Sequence, residues 1–432
     1  MEQLITCNDG CLVPIIARTN SNGNWEVFGI SEIFGLGSAE YKKRLFDFDF
    51  SDIIVLQSYK GISYVCLCKN SKWGLLELKY NNTIECEWRL VSDFDYDDVE
   101  KMLSDMKINR FKYDLIFDVN NILATHSESF DSVEWLRNFR IASEGRTGYR
   151  ELRADIFKGT VNLVKSGGYY LDNEKVIISN EGISENTEFF DSPAKMVESK
   201  SEDVTQFSVI EADCLETAYL LKHAGFNPCV LNMANRQNPG GGVLGGAGAQ
   251  EENIFRRSNL FESLYQFANY AEEYGIQRNA NSYPLDRNTG GIYSTGITIF
   301  RGSEKNGYCL LKRPFQLSFV SVPALNRPDL ELINGEYCII QPLIGAVKQK
   351  IRTILRIAGK YKHDSLVLSA FGCGAFCNPP KHMALLIREV FQENEFKNQF
   401  RLVVFSIIDD HNSWKGHNPE GNFLPFLKVF EN

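Results

Sequence analysis

Apolar and polar positions follow two regimes along this chain. Up to about residue 115, short apolar or alternating runs (LVPIIA, WEVFGI, DIIVLQSY, ISYVCLCK, WGLLELKY) are separated by polar turns such as SNGN and KNSK. Runs of this length, alternating with period two and bounded by Asn, Gly and Ser, are the pattern of antiparallel strands. The acidic stretch SDFDYDDVE, 92–100, leads into a short helix through Met106, since aspartates favour a helix N-terminus. Trp73-Gly74 after a polar turn looks weakly like a WG-type β repeat. Residues 1–115 carry no catalytic constellation and read as a mainly β accessory domain, with a protein partner as its expected ligand.

The stretch 108–130 is a junction without sustained period. From Ser132 to about Lys165 the spacing becomes helical, in VEWLRNFRIA and YRELRADIFKGTVNLVKSG. A β-like pair, GYYLDNEKVIIS, and a polar loop over 180–203 follow. At Gln206 a strand and helix rhythm sets in. FSVIEA is a strand, and Asp213 with Glu216 forms a capping box for the helix CLETAYLLKHA. CVLNMA is a short buried strand. EENIFRRSNLFESLYQFANYAEEYG reads as helix, GIYSTGITIFRG and FQLSFVSVPALN as strands, and EYCIIQPLIGAVKQKIRTILRIAGKY as a long helix. DSLVLSAFGCGAF is a strand running into a loop, KHMALLIREVFQEN a helix, and FRLVVFSIID the last strand. This alternation predicts an α/β/α sandwich, with ligands at the carboxyl ends of its strands. Two glycine loops leave strands at that end.

Composition narrows the function. The 432 residues carry a net charge of -9, which argues against a general binder of nucleic-acid backbone. No apolar run reaches the roughly 18 residues of a membrane span. The first residues, MEQLITCNDG, lack a basic region before an apolar core, so no secretory leader is expected. The 11 cysteines are scattered; Cys66 and Cys68 lack zinc spacing, and the 6 histidines show no HxxxH or HxH pair. The expectation is a cytoplasmic protein with reduced cysteines and no metal or cofactor.

The chemistry-bearing stretch is VLNMANRQNPGGGVLGGAGAQEENIFRRS, Val230 to Ser258. Gly240, Gly241, Gly242, Gly245, Gly246 and Gly248 free the backbone to close N–H groups around an anion, and a helix N-terminus follows. The spacing is neither a P-loop nor a dinucleotide fingerprint. Gln250, Glu251 and Glu252 fall in the first turn of the helix, a position that the helix dipole also favours for acids. Adjacent helical residues project about 100° apart, so the two carboxylates divide their roles: one acts and the other supports. Asn235, on the turn leaving the strand, is placed either to hold a sugar hydroxyl or simply to make the turn.

Three glycines, a spacer of seven and Gln-Glu-Glu resemble the signature of the poly(ADP-ribose) glycohydrolases. The flanks VLNMANRQNPGGG and QEENIFRRS are similar to the bacterial-type branch. RADIFKGTVNLVKSGGYY, IYSTGITIFR, SVPALNRP, HDSLVLSAFGCGAFCNPP and VVFSIID fit the same branch in order, over residues 130–432. The resemblance implies a macrodomain-like α/β/α sandwich with a mixed sheet and extra N-terminal helices, preceded here by the small β domain. It implies Glu252 as the catalytic glutamate and Glu251 as the supporting acid beside the distal ribose. It further implies that Asn235 and Gln250 bind substrate and that Gly240, Gly241, Gly242, Gly245 and Gly246 line the diphosphate. Gly372, Gly374 and Ala375 would make a second diphosphate loop, with Phe376 against the ribose. Asp213 stands where macrodomains place an adenine-binding acid, and a capping role fits it equally. Ser369 and Ser406 replace smaller residues of the branch and are expected to face packing.

The implied reaction is hydrolysis of ribose–ribose bonds in poly(ADP-ribose), without cofactor. Glu252 would be ionised in the free enzyme and take up a proton when the diphosphate docks. A macrodomain that reads ADP-ribose without cleaving it, and a hydrolase of mono-ADP-ribosylated proteins or another acceptor, are the alternative functions.

Overall fold

The computed structural model describes residues 2–5, 15–19, 25–31, 41–46, 52–59, 62–80, 86–106, 123–124, 126–127, 130–171, 173–195 and 204–430. The chain divides into two compact units, residues 1–118 and 119–432.

The first unit contains two four-stranded antiparallel sheets. One runs β1 (Glu2–Ile5), β2 (Ile15–Thr19), β3 (Trp25–Ser31), β4 (Tyr41–Phe46). The other runs β5 (Asp52–Tyr59), β6 (Ile62–Lys69), β7 (Lys72–Tyr80), β8 (Cys86–Tyr96). Each strand pairs with its sequence neighbour, as short connections favour. α1 (Val99–Asp105) follows, its first turn capped by Asp98, which accepts the Lys101 N–H. Met102 and Leu103 of α1 pack with Cys66 and Leu75 in a buried cluster. β1, β4 and β8 join the strands expected from the sequence. The first residues of LVPIIA and most of the 108–130 junction lie outside the described residues.

The second unit opens with β9 (Leu123–Ala124), β10 (His126–Ser127) and β11 (Phe130–Asp131), then α2 (Ser132–Glu144) and α3 (Tyr149–Lys165). The hairpin β12 (Gly168–Leu171) and β13 (Glu174–Ile177) and the edge strand β14 (Glu188–Phe190) come next. There follow β15 (Gln206–Ile210), α4 (Cys214–His223), β16 (Pro228–Met233), α5 (Gln250–Arg257), α6 (Leu260–Tyr265), β17 (Gly291–Arg301) and β18 (Leu310–Val322). The unit closes with the hairpin β19 (Leu330–Ile333) and β20 (Glu336–Ile339), then α7 (Gln341–Lys360), β21 (Ser365–Leu368), α8 (Pro380–Phe391), β22 (Leu402–Ser406) and α9 (Phe423–Phe430).

The central sheet has the order β14-β17-β18-β16-β21-β22-β15, with β9 paired to the start of β18. β18, β16, β21, β22 and β15 are mutually parallel; β17 runs antiparallel to β18, and the edge strand β14 runs antiparallel to β17. The step from β15 to β16 through α4 runs one way along the sheet; the step from β18 to β21 through α7 runs the other. Right-handed crossovers therefore put α4 and α7 on opposite faces. α7 packs on β17, β18 and α8, while α4 and α5 pack on β16. The mixed-sheet α/β fold expected from the sequence is the fold observed, and all parallel strands present their carboxyl ends on one side.

Three elements differ from the sequence pattern. The long helical run after Gln250 breaks at Ser258, which is extended and bridges Ile299 of β17. The buried Asn259 causes the break: its Oδ1 accepts the Thr298 N–H at 2.7 Å and its Nδ2 donates to Ser179 and Asn180. The segment before α7 is a hairpin, and the helix starts only at Gln341, where Pro342 occupies its first turn. Residues 188–190, inside the expected polar loop, extend the sheet at its edge.

α3 fixes the first glycine loop from below. Gly246 adopts φ +68, and a Cβ there would lie 1.9 Å from the Arg150 carbonyl oxygen. A Gly246→Ala change combines left-handed strain with that clash and should lower unfolding free energy by roughly 2 kcal/mol or more. Chemical denaturation measures this; an unchanged midpoint would contradict the packing.

Candidate active site

The site begins where β16 ends. Gln250, first in α5, treats the end of β16 as a neighbouring strand would. Its Oε1 accepts the Met233 N–H at 2.8 Å and its Nε2 donates to the Leu231 carbonyl at 2.7 Å. This amide clamp fixes the start of α5 against the strand, so the next two residues are aimed into the Asn235–Gly242 loop.

Glu251 is 3% exposed and accepts the N–H groups of Asn235 at 2.8 Å and Gly240 at 3.1 Å, with Asn232 Nδ2 at 3.5 Å. Glu252 is buried too. Its Oε1 accepts the Gly242 N–H at 2.8 Å, and its Oε2 is buried without a hydrogen-bond partner among the described residues. The two side chains take different donors yet approach the same glycine. A Cβ on Gly241, at φ +55, would stand 2.5 Å from Glu252 Oε1 and 3.2 Å from Glu251 Oε2. On Gly240 it would strike the Phe255 ring at 2.6 Å. These are the steric reasons for consecutive glycines.

Burial first, and then the adjacent Glu252, push the Glu251 carboxyl up to about 8; the N–H groups of Asn235 and Gly240 pull the other way. Tyr283, Tyr265 and Tyr270 surround this charge. Burial is the main cause of their raised phenol pKa values, and Glu251 adds to it. The Asn235 side chain makes the turn: its Oδ1 accepts the Gln237 and Asn238 N–H groups at 2.8 and 3.1 Å.

The second loop follows β21. Gly372 sits at φ +76, and a Cβ there would lie 2.6 Å from both Ala324 and Asn378 Nδ2. Asn378 holds the loop, donating to the carbonyls of Leu325, Gly372 and Phe376. The Arg327 N–H also binds the Phe376 carbonyl, at 2.8 Å. The sequence reading missed Asn378, although a buried amide after two close glycines was the available signal.

A cavity of about 420 Å³, within the range of ligand pockets, runs between the loops. Asp213, Gln250, Gly372, Gly374, Ala375 and Phe376 line it. Gly240 to Gly242 and the two glutamates are not part of that lining, and Gly246 is packed on α3. Gly245 has open space around it. Asp213 follows the edge strand β15, three places along the sheet from β16. Its Oδ1 caps α4 through the Leu215 and Glu216 N–H groups, and its Oδ2 pairs with Arg257 at 2.7 Å. Burial alone would raise its pKa; Arg257 and the capping N–H groups hold it below the usual carboxylate range. Capping and cavity lining thus coexist in this one residue. Ser369 and Ser406, expected to face packing, both line the cavity. Ser406 reaches it from the strand end while its hydroxyl donates to the Ala212 carbonyl.

The family model described as microbial-type PARG, catalytic domain, matches residues 158–302. Among solved structures, poly(ADP-ribose) glycohydrolase from Thermomonospora curvata bound to the inhibitor ADP-HPD is 27% identical over 64% of this chain and 99% of that one, with a TM-score of 0.50. A second structure of the Thermomonospora curvata enzyme is 26% identical over the same shares, with a TM-score of 0.52. No curated protein sequence matches the chain. The larger unit is thus similar to microbial-type poly(ADP-ribose) glycohydrolases, in sequence over residues 158–302 and in fold. The mixed-sheet fold of the larger unit likewise matches that of these structures.

The buried acid Glu251 gives stability a definite pH dependence. Between the ordinary Glu value near 4.5 and about 8, folded Glu251 keeps a proton that the unfolded chain has released. Stability therefore falls as pH rises through that window. Urea midpoints between about pH 5 and 8 should fall in the wild type and fall less steeply in Glu251→Gln. Equal slopes in the two proteins would contradict the assignment.

Proposed function

We propose that the larger unit hydrolyses the ribose–ribose O-glycosidic bonds of poly(ADP-ribose) and releases ADP-ribose, with Glu252 as general acid and then general base. The observation that carries this reading is the pair of buried carboxylates beside the glycine loop, one with an oxygen lacking a partner among the described residues. A buried, unpartnered carboxylate oxygen is costly to keep and is explained if a substrate group completes it.

In this reading the adenine lies toward Asp213 and the diphosphate between the two glycine loops. The distal ribose reaches Asn235 and Glu251, with Phe376 packing beside it. Glu251 holds the Asn235–Gly240 turn and keeps one proton on the pair in the free enzyme. Docking the diphosphate adds negative charge beside the glutamates and draws a proton onto Glu252. That proton passes to the leaving ribose oxygen as the bond to C1 of the distal ribose breaks. Positive charge grows on that ribose, and the carboxylates stabilise it. The Glu252 carboxylate then takes a proton from the attacking water, which bonds to C1 and restores the acid. The β unit at the N-terminus is read as an accessory domain for a protein partner, and the compartment as cytoplasmic.

The test is release of ADP-ribose from poly(ADP-ribose) by the full chain and by Glu252→Gln, which keeps size and removes the titrating proton. The variant should lose at least about 100-fold in turnover, the low end of acid-base contributions, while ADP-ribose affinity is kept. Wild type that binds ADP-ribose but leaves the polymer intact would overturn this reading.

A further inference from the structure

The cavity wall at the end of the first glycine loop carries a cation with no part in the proposed reaction. Arg153, on α3, lines the cavity together with Gly248, Ala249, Asn253 and Glu304. Its side chain is 14% exposed. Nε and Nη2 each donate to the Glu304 carboxylate at 2.6 Å, one to each oxygen. Nη1 makes no hydrogen bond among the described residues. It is also the guanidinium atom closest to the loop: a Cβ on Gly248 would stand 2.4 Å from Nη1, 2.8 Å from Cζ and 3.1 Å from Nη2. The rings of Phe139 and Tyr149 lie against the guanidinium, with centroids 5.1 and 5.7 Å from Cζ. The bidentate pair and the two rings fix the group in one orientation, with its unbonded edge at the glycine loop.

Glu304 does not neutralise this wall. Its Oε2 also accepts the Tyr308 hydroxyl at 2.9 Å, and that hydroxyl accepts Arg256 Nε at 2.8 Å. Arg256 is fully buried; its Nη1 donates to the Ala247 carbonyl at 2.8 Å, and its Nη2 has no partner among the described residues. Two guanidinium groups therefore share one carboxylate through a continuous chain of hydrogen bonds, which leaves one positive charge in excess beside Ala247 and Gly248. The other charges of the lining are engaged: Lys305 faces Glu216 at 3.3 Å, Asp213 is paired with Arg257 at 2.7 Å, and Asp410 lies 3.6 Å from His411. α5 also begins at this wall, at Gln250, without a side-chain cap. A helix start favours an anion, but Glu251 and Glu252 in the same turn offset that attraction, so an anion held here depends on a fixed cation.

A guanidinium N–H binds a phosphate oxygen through a short, charge-assisted hydrogen bond, and such bonds are strongest where water is scarce. Resting on the function proposed above, we propose that Arg153 is a substrate-binding residue, whose Nη1 takes an oxygen of the ADP-ribose diphosphate at the Gly248 end of the first glycine loop. Glu304, Tyr308 and Arg256 hold the guanidinium in place for that contact. α3 thereby contributes a charged side chain to the cavity as well as the Arg150 carbonyl that packs on Gly246. Residue 248 is glycine so that the guanidinium can lie against the loop.

The test is calorimetry on the full chain with ADP-ribose and with adenosine, which keeps the base and one ribose and lacks the phosphates. Arg153→Gln should bind ADP-ribose at least about tenfold more weakly than wild type, the scale of one charge-assisted hydrogen bond. It should bind adenosine as wild type does, which also shows that the variant is folded. Arg153→Gln combined with Glu304→Gln, which leaves no carboxylate without its guanidinium, should show the same selective loss. If ADP-ribose affinity survives in both variants, or adenosine affinity falls by the same factor as ADP-ribose affinity, Arg153 is a structural support; the assignment is then overturned while the functional reading stands. If wild type does not bind ADP-ribose, the functional reading fails and the assignment falls with it.

Discussion

Glu251 joins two pieces of chain that would otherwise have no reason to meet in a fixed geometry. It stands in the first turn of α5, yet its oxygens accept N–H groups from the turn that leaves β16. The carboxylate makes the Asn235–Gly240 turn part of the helix start, and Gln250 fastens that start to β16. Because the group is buried, loss of these donors would leave an uncompensated carboxyl in the interior, so the arrangement is held as a unit. The steric demand for glycine at 240 and 241 follows from it. The loop must pass close over Phe255 and over both carboxylates to bring its N–H groups within reach.

From that constraint the placement of Glu252 follows. With Glu251 turned to the Asn235 side, Glu252 is left facing Gly242 with one oxygen bonded and one unpartnered. Burial first, and then the adjacent Glu252, keep a proton on Glu251 near neutral pH. A glycosidase needs one carboxyl that can give a proton and a negative charge that can face an oxocarbenium-like ribose. In the reaction proposed above, Glu252 meets both in turn, as the acid before the bond breaks and as the carboxylate after it, while Glu251 holds the turn beside it.

Much of this was legible in the sequence, and the failures have physical causes. The strand, glycine loop and helix order from Val230 to Arg257 could be read because glycine and the capping positions carry local conformational information. The rise and fall of hydrophobicity after Gln206 likewise gave the alternating sheet and helices. The approach of both glutamates to Gly241 could not be read from the roughly 100° between adjacent helical positions. Flexible Glu side chains and a loop folded over them override that angle. Gly246 looked like a ligand-facing glycine but packs on α3, a contact with a helix some ninety residues earlier. Ser369 and Ser406 were assigned to packing from their strands. Their position at the ends of β21 and β22, Ser369 just past the one and Ser406 last in the other, where the cavity opens, appears only once the sheet is assembled. The break at Ser258 likewise depends on Asn259 meeting β17.

The central claim is that an ADP-ribose end lies along the strand ends with its distal ribose against the glutamates. A crystal structure of the full chain with ADP-ribose tests it most directly. The account predicts the adenine toward Asp213, the diphosphate between the Gly240–Gly242 and Gly372–Phe376 loops, and a Glu252 oxygen within hydrogen-bond distance of the hydroxyl on C1 of the distal ribose. ADP-ribose bound with that ribose turned away from Glu251 and Glu252, or bound outside the cavity, would contradict it.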